Sequence, residues 1–392
     1  MQAAGISIIA MAPLIVAAHG RSTVFNNYVR VAYAWLHGRM WIDYPGPWLD
    51  AVRYNDHWYG VDGPFPAVLM LPSVLMKGLQ ANQTAVCIVA AAICVGLAWV
   101  LLARIGVGAT SRCWLILFFF AGTDLWWCGM LGDVWFMAHV VAVLFTLLAL
   151  LECTGRGRGW LVGLFALCAF ESRFTLALAV PLYGWLLHSS ALEQGGPTRV
   201  VPQRRLAGFV GTLVCGAAVW VAYNELMWGR WNDIGHSLYF HQDAWGQKSG
   251  SPLSIVYLPY QFYSFFLQAP ILVEWLQQAR WPFFKVDIHG VALTFTSPAL
   301  ILGCFAKTPR SLVVALWVTA ALVAVPSFLY YLNGWYQFGM RHALDFEPFL
   351  LLLMALACRS SVPRWGAALI LWSAAMGAWG VWWWNTFMRT AN

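Results

Sequence analysis

Residues 134–152 read VWFMAHVVAVLFTLLALLE, a nineteen-residue run in which apolar side chains dominate and the only acid is the last residue. A helix needs about 20 mostly apolar residues to cross a bilayer, so this run has the composition and length of a membrane span. Ten further apolar runs are interpreted in the same way, at residues 2–19, 83–103, 113–130, 159–171, 173–188, 206–226, 291–306, 311–333, 346–358 and 365–385. The sequence therefore predicts an all-α polytopic membrane protein with about eleven transmembrane helices, in a single membrane domain over residues 1–392.

The composition supports this class and excludes others. Of the 392 residues, 61% are hydrophobic and only 10% are charged, far from the make-up of a soluble domain. The basic residues fall singly or in pairs between apolar runs, so they do not form a nucleic-acid patch. All nine cysteines lie in or at the ends of apolar runs without a CxxC pair, which argues against a disulfide framework or a zinc site. No Walker, HExxH or GxSxG motif is present.

Two long polar segments stand out from the apolar runs. The first is the first outer loop, residues 20–63. Most of this loop and the four residues after it, residues 24–67, read VFNNYVRVAYAWLHGRMWIDYPGPWLDAVRYNDHWYGVDGPFPA. The second, residues 227–290, is too long for a plain turn and predicts amphipathic surface helices or a lid. Loops on rigid scaffolds often carry chemistry, so both segments are candidate site elements.

The charge distribution predicts which side these segments occupy. Lys and Arg in short loops stay cytoplasmic. Five short connections hold eleven basic residues and two acids, and they fall on one side if residues 64–78 do not cross the membrane. We therefore interpret residues 64–78 as a re-entrant or juxtamembrane helix. The polar segments then share the non-cytoplasmic face, and the first apolar run, which lacks a basic n-region, is interpreted as an uncleaved anchor.

Several blocks of the sequence resemble a known superfamily. The blocks are NNYVRVAYAWLHGRMWID, DAVRYNDHWYGVDGPFPAVLMLP, GTDLWWCGMLGDVWFMAH, AFESRFTLAL, YNELMWGRWNDIGH and GWYQFGMRHALDFEPFL. In this order they resemble an uncharacterised bacterial group of GT-C membrane glycosyltransferases, the superfamily that includes the dolichyl-phosphate-mannose protein mannosyltransferases. The resemblance implies a GT-C-like fold and transfer of a hexosyl or pentosyl group from a polyprenyl-phosphate donor.

The resemblance also implies an acid in the first outer loop that acts as a base or as a metal ligand. This sequence has Asn26 and Asn27 at the matching place, and an amide neither accepts a proton as a base nor brings charge to a metal. Whether the protein uses a divalent metal such as Mg²⁺ or Mn²⁺ is left open, and the sequence identifies no cofactor. The asparagines and the nearby Arg30 are candidate substrate-binding residues, although an amphipathic surface helix also explains Arg30.

Inverting glycosyl transfer needs a carboxylate near the acceptor hydroxyl. The candidates are Asp50, Asp43 and Asp124. For Asp43, which precedes Tyr44-Pro45-Gly46-Pro47, turn formation and function are both open. Two other acids of the first outer loop have structural interpretations: Asp56 as a turn residue and Asp62 as the cap of the following helix.

Transfer from a phosphate carrier also needs cations on the departing phosphate, and arginine can bind two oxygens at once. Arg341 is the main candidate, with an ion pair to Asp345 as the structural alternative. If the segment is helical, Gln337, Arg341 and Asp345 share one face. Arg173 is a second candidate, and pairing with Glu171 is its alternative.

The sequence thus predicts a glycosyltransferase of the bacterial inner membrane, with its site facing the periplasm and with membrane lipid and a polyprenyl-phosphate sugar as its partners. A transporter or flippase of a lipid-linked solute is the alternative. Transporters commonly bind at the bilayer midplane, whereas the polar residues here gather at one face. A surface-polysaccharide polymerase or ligase that uses polyprenyl diphosphate is a third interpretation.

Overall fold

The computed structural model describes residues 2–46, 50–189, 202–243, 246, 250–272, 284–335 and 337–388. The chain is 71% helical with almost no sheet, which confirms the all-α prediction. The helices are α1 (Gln2–Ala18), α2 (Asn27–Leu36), α3 (Phe65–Lys77), α4 (Gln83–Arg104), α5 (Ala109–Ala121), α6 (Leu125–Leu131), α7 (Val134–Cys153), α8 (Gly159–Phe170), α9 (Val180–Ser189), α10 (Pro202–Trp228), α11 (Gly235–Gln242), α12 (Leu258–Phe266), α13 (Leu293–Thr296), α14 (Arg310–Leu329), α15 (Glu347–Ala357) and α16 (Arg364–Trp383).

Short strands and 3₁₀ segments connect these helices. Strands β1 (Ala51–Tyr54) and β2 (His57–Gly60) form an antiparallel hairpin, and β3 (Ile271–Leu272) pairs with β4 (Phe284–Lys285). The 3₁₀ segments are Gly78–Gln80, Phe174–Ala179, Ile255–Tyr257, Pro298–Phe305 and Arg341–Asp345, and a π-helical turn, Trp384–Met388, follows α16.

Within the described residues, five helices are long and apolar enough to cross a membrane: Gln83–Arg104, Val134–Cys153, Gln203–Trp228, Arg310–Leu329 and Arg364–Met388. A sixth span is obtained if α5 and α6, which are bent by 47° at their break, are counted together. The other predicted spans form shorter helices, or the 3₁₀ segment Pro298–Phe305. At about 1.5 Å per residue, a twelve-residue helix such as α8 covers less than a bilayer core of about 30 Å.

The run at residues 64–78 forms α3, whose thirteen residues make it another of the short apolar helices. The N-terminus of α3 differs from the prediction that Asp62 caps this helix. The N-cap residue is Pro64 and makes no side-chain cap bond, so Asp62 does not cap this helix. Proline suits the start of a helix because its missing N–H would be unsatisfied there anyway.

The chain forms two compact units, and the first comprises residues 1–19, 91–130 and 253–392. In this unit α15 packs against α14 and against the 3₁₀ segment Pro298–Phe305. Helix α16 packs against α5. Every residue of α15 from Glu347 to Leu356 is buried, so this eleven-residue helix forms the centre of the unit.

The second unit comprises residues 20–90 and 131–252. Helix α8 packs against both α7 and α10, and α2 packs against α3. Gly159 and Gly163, one turn apart on α8, face α10, and a Cβ atom at position 163 would lie 2.9 Å from Cβ of Thr212. Small residues at this spacing let two helix backbones approach closely, a device common between helices in membranes.

The outer surface of α10 is apolar. Val210, Val214 and Val219 are each more than half exposed. A row of exposed aliphatic side chains along a span-length helix is unusual for a protein surface in water and is compatible with contact to lipid.

Candidate functional site

Asp50 lies directly before β1, and both of its carboxylate oxygens accept hydrogen bonds in the second unit. The hydroxyl of Tyr239 on α11 donates to Oδ1 at 3.0 Å, and the indole Nε1 of Trp135, in the first turn of α7, donates to Oδ2. Asp50 and its two donors come from three separate parts of the chain, because 85 residues separate Asp50 from Trp135 and 189 separate it from Tyr239. Asp50 is therefore the acid on which the first outer loop, α7 and α11 converge.

The two asparagines at the start of α2 have different roles. Asn27 is buried, and its Nδ2 donates a hydrogen bond of 2.9 Å to the backbone oxygen of Asp50. Asn26 is the N-cap residue of α2, and its Oδ1 accepts a 3.0 Å bond from Nε of Arg30, one helical turn away. Asn27 thus positions the Asp50 backbone, whereas Asn26 and Arg30 form a local pair on the helix surface.

The hairpin after Asp50 is anchored to the second outer loop. Asn55 and Asp56 both have positive φ, at 45° and 62°, as two-residue hairpin turns require, so the turn predicted at Asp56 is confirmed. The side-chain amide of Gln242 on α11 bonds the backbone of Arg53 twice, accepting from its N–H at 3.0 Å and donating to its oxygen at 2.9 Å. This amide therefore pairs with the hairpin edge as a neighbouring strand would.

An apolar cluster lies beneath this hairpin. Its buried members come from the hairpin region and from the end of α10: Val52, Tyr59, Val61, Met227 and Trp228. The Tyr54 hydroxyl also donates to the backbone oxygen of Trp228 at 3.1 Å. Packing of this kind fixes the hairpin, and with it the position of Asp50, on the helical scaffold.

A small cavity opens beside α2. It is lined by Asn27, Tyr28, Asp62 and Tyr223 among others. Asn27 and Tyr28 are almost fully buried, and Asn27 Oδ1 and the Tyr28 hydroxyl have no hydrogen-bond partner among the described residues. Burial and the negative charge of Asp62 raise the pKa of Tyr28 well above its usual value, while the positive charge of Arg173 opposes this shift. Arg173, a candidate phosphate ligand, is therefore close enough to Tyr28 to act on it electrostatically.

Glu171 borders the same region. Burial, assisted by the negative charge of Asp233, raises the pKa of Glu171 to about 8. Its backbone oxygen accepts a 3.2 Å bond from the N–H of Phe65, and a Cβ atom at position 63 would overlap that oxygen. The glycine before Pro64 is thus required for the close approach of the first outer loop to the end of α8.

Asp43, the second candidate base, lies at the surface. Its side chain is 70% exposed and forms a 2.9 Å ion pair with Arg39 four residues earlier. The hydrogen bond from Arg39 lowers the pKa of Asp43. This geometry is that of an exposed surface ion pair, which contributes little energy.

Asp124, the third candidate, belongs to the first unit, at the break between α5 and α6. The carboxylate is buried and is attracted by the guanidinium of Arg341, which is also buried. A Cβ atom at position 339 would lie 2.7 Å from Oδ2 of Asp124, so only glycine leaves room for this carboxylate. Two further buried acids, Asp345 and Glu347, interact electrostatically within the same cluster.

Gln337 does not share a helical face with Arg341 and Asp345. The 3₁₀ segment begins only at Arg341, and Gln337 lies before it in an isolated bridge with His289. Its buried Nε2 donates to the backbone oxygens of His289 at 2.7 Å and Asn333 at 2.9 Å. These two hydrogen bonds tie the connection that holds His289 to the one that holds Asn333. Tyr336 lies outside the described residues.

Two further side chains of the site carry no signal in the sequence that links them to Asp50. Trp135 lies inside the block GTDLWWCGMLGDVWFMAH, and Tyr239 lies within the second outer loop. The hydroxyl of Thr23 donates to Asp133, which sits at the N-cap of α7 without making a cap bond. The predicted helical pieces of the second outer loop appear as α11 and α12, whereas residues 244–245, 247–249 and 273–283 lie outside the described residues.

Among the described residues, no three His, Cys, Asp or Glu side chains converge in a way that could hold a metal ion. The metal prediction therefore stays a prediction. Searches found no matching family model, no matching curated protein and no matching solved structure.

Proposed function

We propose that this chain is a membrane glycosyltransferase that moves a sugar from a polyprenyl-phosphate donor to an acceptor at the non-cytoplasmic face. The observation that supports this is the carboxylate of Asp50, held on both oxygens by the Trp135 indole and the Tyr239 hydroxyl. An acid fixed by neutral donors from several elements is the arrangement expected of a positioned general base.

In the proposed reaction, Asp50 takes the proton of the acceptor hydroxyl as that oxygen attacks the anomeric carbon. The new bond joins the acceptor oxygen to the sugar. The bond between the anomeric carbon and the phosphate oxygen breaks, and polyprenyl phosphate leaves with the electron pair. Arg173, in the same unit as Asp50, is the cation proposed to stabilise the charge on the departing phosphate, and Arg341 stays a predicted phosphate ligand.

The finer topology belongs to this proposal. We infer about eleven spans, with α3 lying in or along the membrane surface and both outer loops exported. The span-length helices and the exposed aliphatic surface of α10 support membrane insertion. A bacterial inner membrane with the site facing the periplasm is the location that fits a polyprenyl-phosphate donor.

The test is a transfer assay with purified protein in detergent and a polyprenyl-phosphate sugar labelled in the sugar. Wild type is expected to release polyprenyl phosphate, and Asp50→Asn is expected to lower that rate by roughly 10²–10⁴-fold, the usual contribution of a general base. The asparagine keeps the size of the side chain and one acceptor oxygen, which can serve one of the two donors. Transfer by Asp50→Asn at the wild-type rate would overturn the proposed mechanism.

The same assay separates the alternative functions. A transporter or flippase is supported by the buried charges around Asp124 and Arg341, since charged residues within membrane segments often mark solute paths. Such a protein would move the labelled lipid across proteoliposomes without releasing polyprenyl phosphate. A polymerase or ligase would instead release polyprenyl diphosphate from a diphosphate-linked donor.

A further inference from the structure

A second cavity lies in the first unit, between the start of α1 and the end of α4. It is largely open to its surroundings and has a volume of about 510 Å³. Its lining includes Gln2, Ala3, Trp99, Ala103, Arg104 and Arg112, and none of its lining residues is acidic. The cavity is therefore basic and aromatic in character.

The walls of this cavity are held close by a glycine. A Cβ atom at Gly96 of α4 would overlap the side chain of Ser7 and lie 2.8 Å from the backbone oxygen of Ala3. This contact brings α1 and α4 together one turn before Trp99. The cavity lies beside this contact, between the start of α1 and the end of α4, next to Arg104 and Arg112.

The polar groups of the cavity suit a phosphate. The guanidinium of Arg112 stacks over the Trp99 ring, 4.5 Å from its centroid, which holds the arginine fork in place. Arg112 Nε and Trp99 Nε1 are buried donors without a hydrogen-bond partner among the described residues. Buried donors are nearly always paired, so these two indicate an acceptor-rich ligand.

The surroundings favour a lipid as the source of that phosphate. Arg104 ends the span-length helix α4, and Arg112 lies in the first turn of α5. Both belong to the connection predicted to be cytoplasmic, where anionic lipids are concentrated and basic pockets between helices bind their headgroups. Ala103 and Arg104 are exposed at the edge of the cavity, so a headgroup could enter beside its own acyl chains.

We propose that this cavity binds the headgroup of an anionic phospholipid, with Arg112 and Arg104 on the phosphate and the indole N–H of Trp99 as an additional donor. The site is separate from the proposed reaction and does not depend on it. Its ligand is a resident lipid that occupies the predicted cytoplasmic leaflet.

The test measures lipid binding to the full chain in detergent by titration with phosphatidylglycerol and with phosphatidylcholine. Phosphatidylglycerol is expected to bind at least tenfold more tightly. Arg112→Gln and Arg104→Gln should each weaken its binding about tenfold, the size expected for a lost charge-assisted hydrogen bond. Arg310→Gln is the control, because Arg310 is an exposed arginine in another connection that is predicted to be cytoplasmic and does not line the cavity.

Three outcomes would overturn the proposal: equal affinity for the two lipids, an equal loss in Arg310→Gln, or displacement of phosphatidylglycerol by inorganic phosphate, which would indicate a site for soluble anions. Arg112→Lys keeps the charge without the planar fork, and we expect it to bind with intermediate affinity. If Arg112→Gln fails to fold, the exposed Arg104→Gln still decides the question.

Discussion

The hydroxyl of Tyr239 donates a 3.0 Å hydrogen bond to Oδ1 of Asp50 across 189 residues of sequence. Tyr239→Phe removes this donor and little else, and hydrogen bonds to charged groups are worth about 1.5–3 kcal/mol. We therefore expect sugar transfer to fall at least about tenfold and the free energy of unfolding to fall by no more than about 3 kcal/mol. Tyr260→Phe, on α12, is the matched control. Equal transfer by Tyr239→Phe and wild type would show that this bond does not position Asp50.

Asp43 and Arg39 form an exposed ion pair, and such pairs contribute about 0–1 kcal/mol. Asp43→Asn should therefore change the free energy of unfolding by less than about 1 kcal/mol and leave transfer at the wild-type rate. Parallel transfer assays of Asp43→Asn and Asp50→Asn make the comparison direct. A large loss in Asp43→Asn alone would move the base from Asp50 to Asp43.

Arg341 and Asp124 attract each other inside the first unit. Arg341→Gln leaves the Asp124 carboxylate buried without that charge, which should cost about 3 kcal/mol of stability or more. Asp124→Asn added to Arg341→Gln should recover most of the loss, as measured by thermal unfolding in a double-mutant cycle. Additive losses would show that the two side chains are not coupled. If Arg341 also binds the donor phosphate, the double variant will be stable but inactive.

Gly339 leaves space for the Asp124 carboxylate. Gly339→Ala should destabilise the protein by about 1–3 kcal/mol, because the added methyl group overlaps that carboxylate. Gly211→Ala is the control, since a Cβ atom there meets nothing within 4 Å and alanine favours a helix. In an Asp124→Ala background the cost of Gly339→Ala should shrink. An unchanged cost would indicate that the backbone, and not the carboxylate, requires glycine.

Burial raises the pKa of Glu171 to about 8, from 4.5 for the free side chain. The folded protein therefore binds more protons at this group than the unfolded chain between these two values, so stability falls as pH rises through this window. Glu171→Gln should remove that dependence, matching wild type near pH 4.5 and exceeding it at pH 8 and above. Unfolding midpoints across this pH range test the prediction, with the exposed Asp56→Asn as the control. Parallel pH profiles of wild type and Glu171→Gln would contradict it.

The long apolar runs predicted the helical class because a helix is the structure that satisfies all backbone polar groups within one apolar segment. The runs did not predict where the helices break. The run 113–130 is bent by 47° just before Leu125, and 291–306 contains a 3₁₀ segment after Pro298. Such breaks depend on contacts in space that the sequence does not show. At the first break, the buried Asp124 lies against Gly339, which is far away along the chain.

The candidate site was predictable in its acids and not in their partners. Asp50 and the turn at Asp56 stand in one segment, where turn chemistry is local. The donors to Asp50 come from distant positions, so no spacing in the sequence marks them. Gln337 shows the same limit, because the structure uses its amide to satisfy two backbone oxygens, a role that its position in the sequence does not mark.

The pair of hydrogen bonds between the Gln242 amide and the Arg53 backbone has a consequence for biosynthesis. A chain that is made from its N-terminus completes the first outer loop long before position 242 exists. The hairpin lacks its edge partner for 189 residues of synthesis, and it lacks Met227 and Trp228 of the apolar cluster for most of that interval. The first outer loop therefore reaches its final shape late, as the partner of a segment that is synthesised only after most of α1–α10.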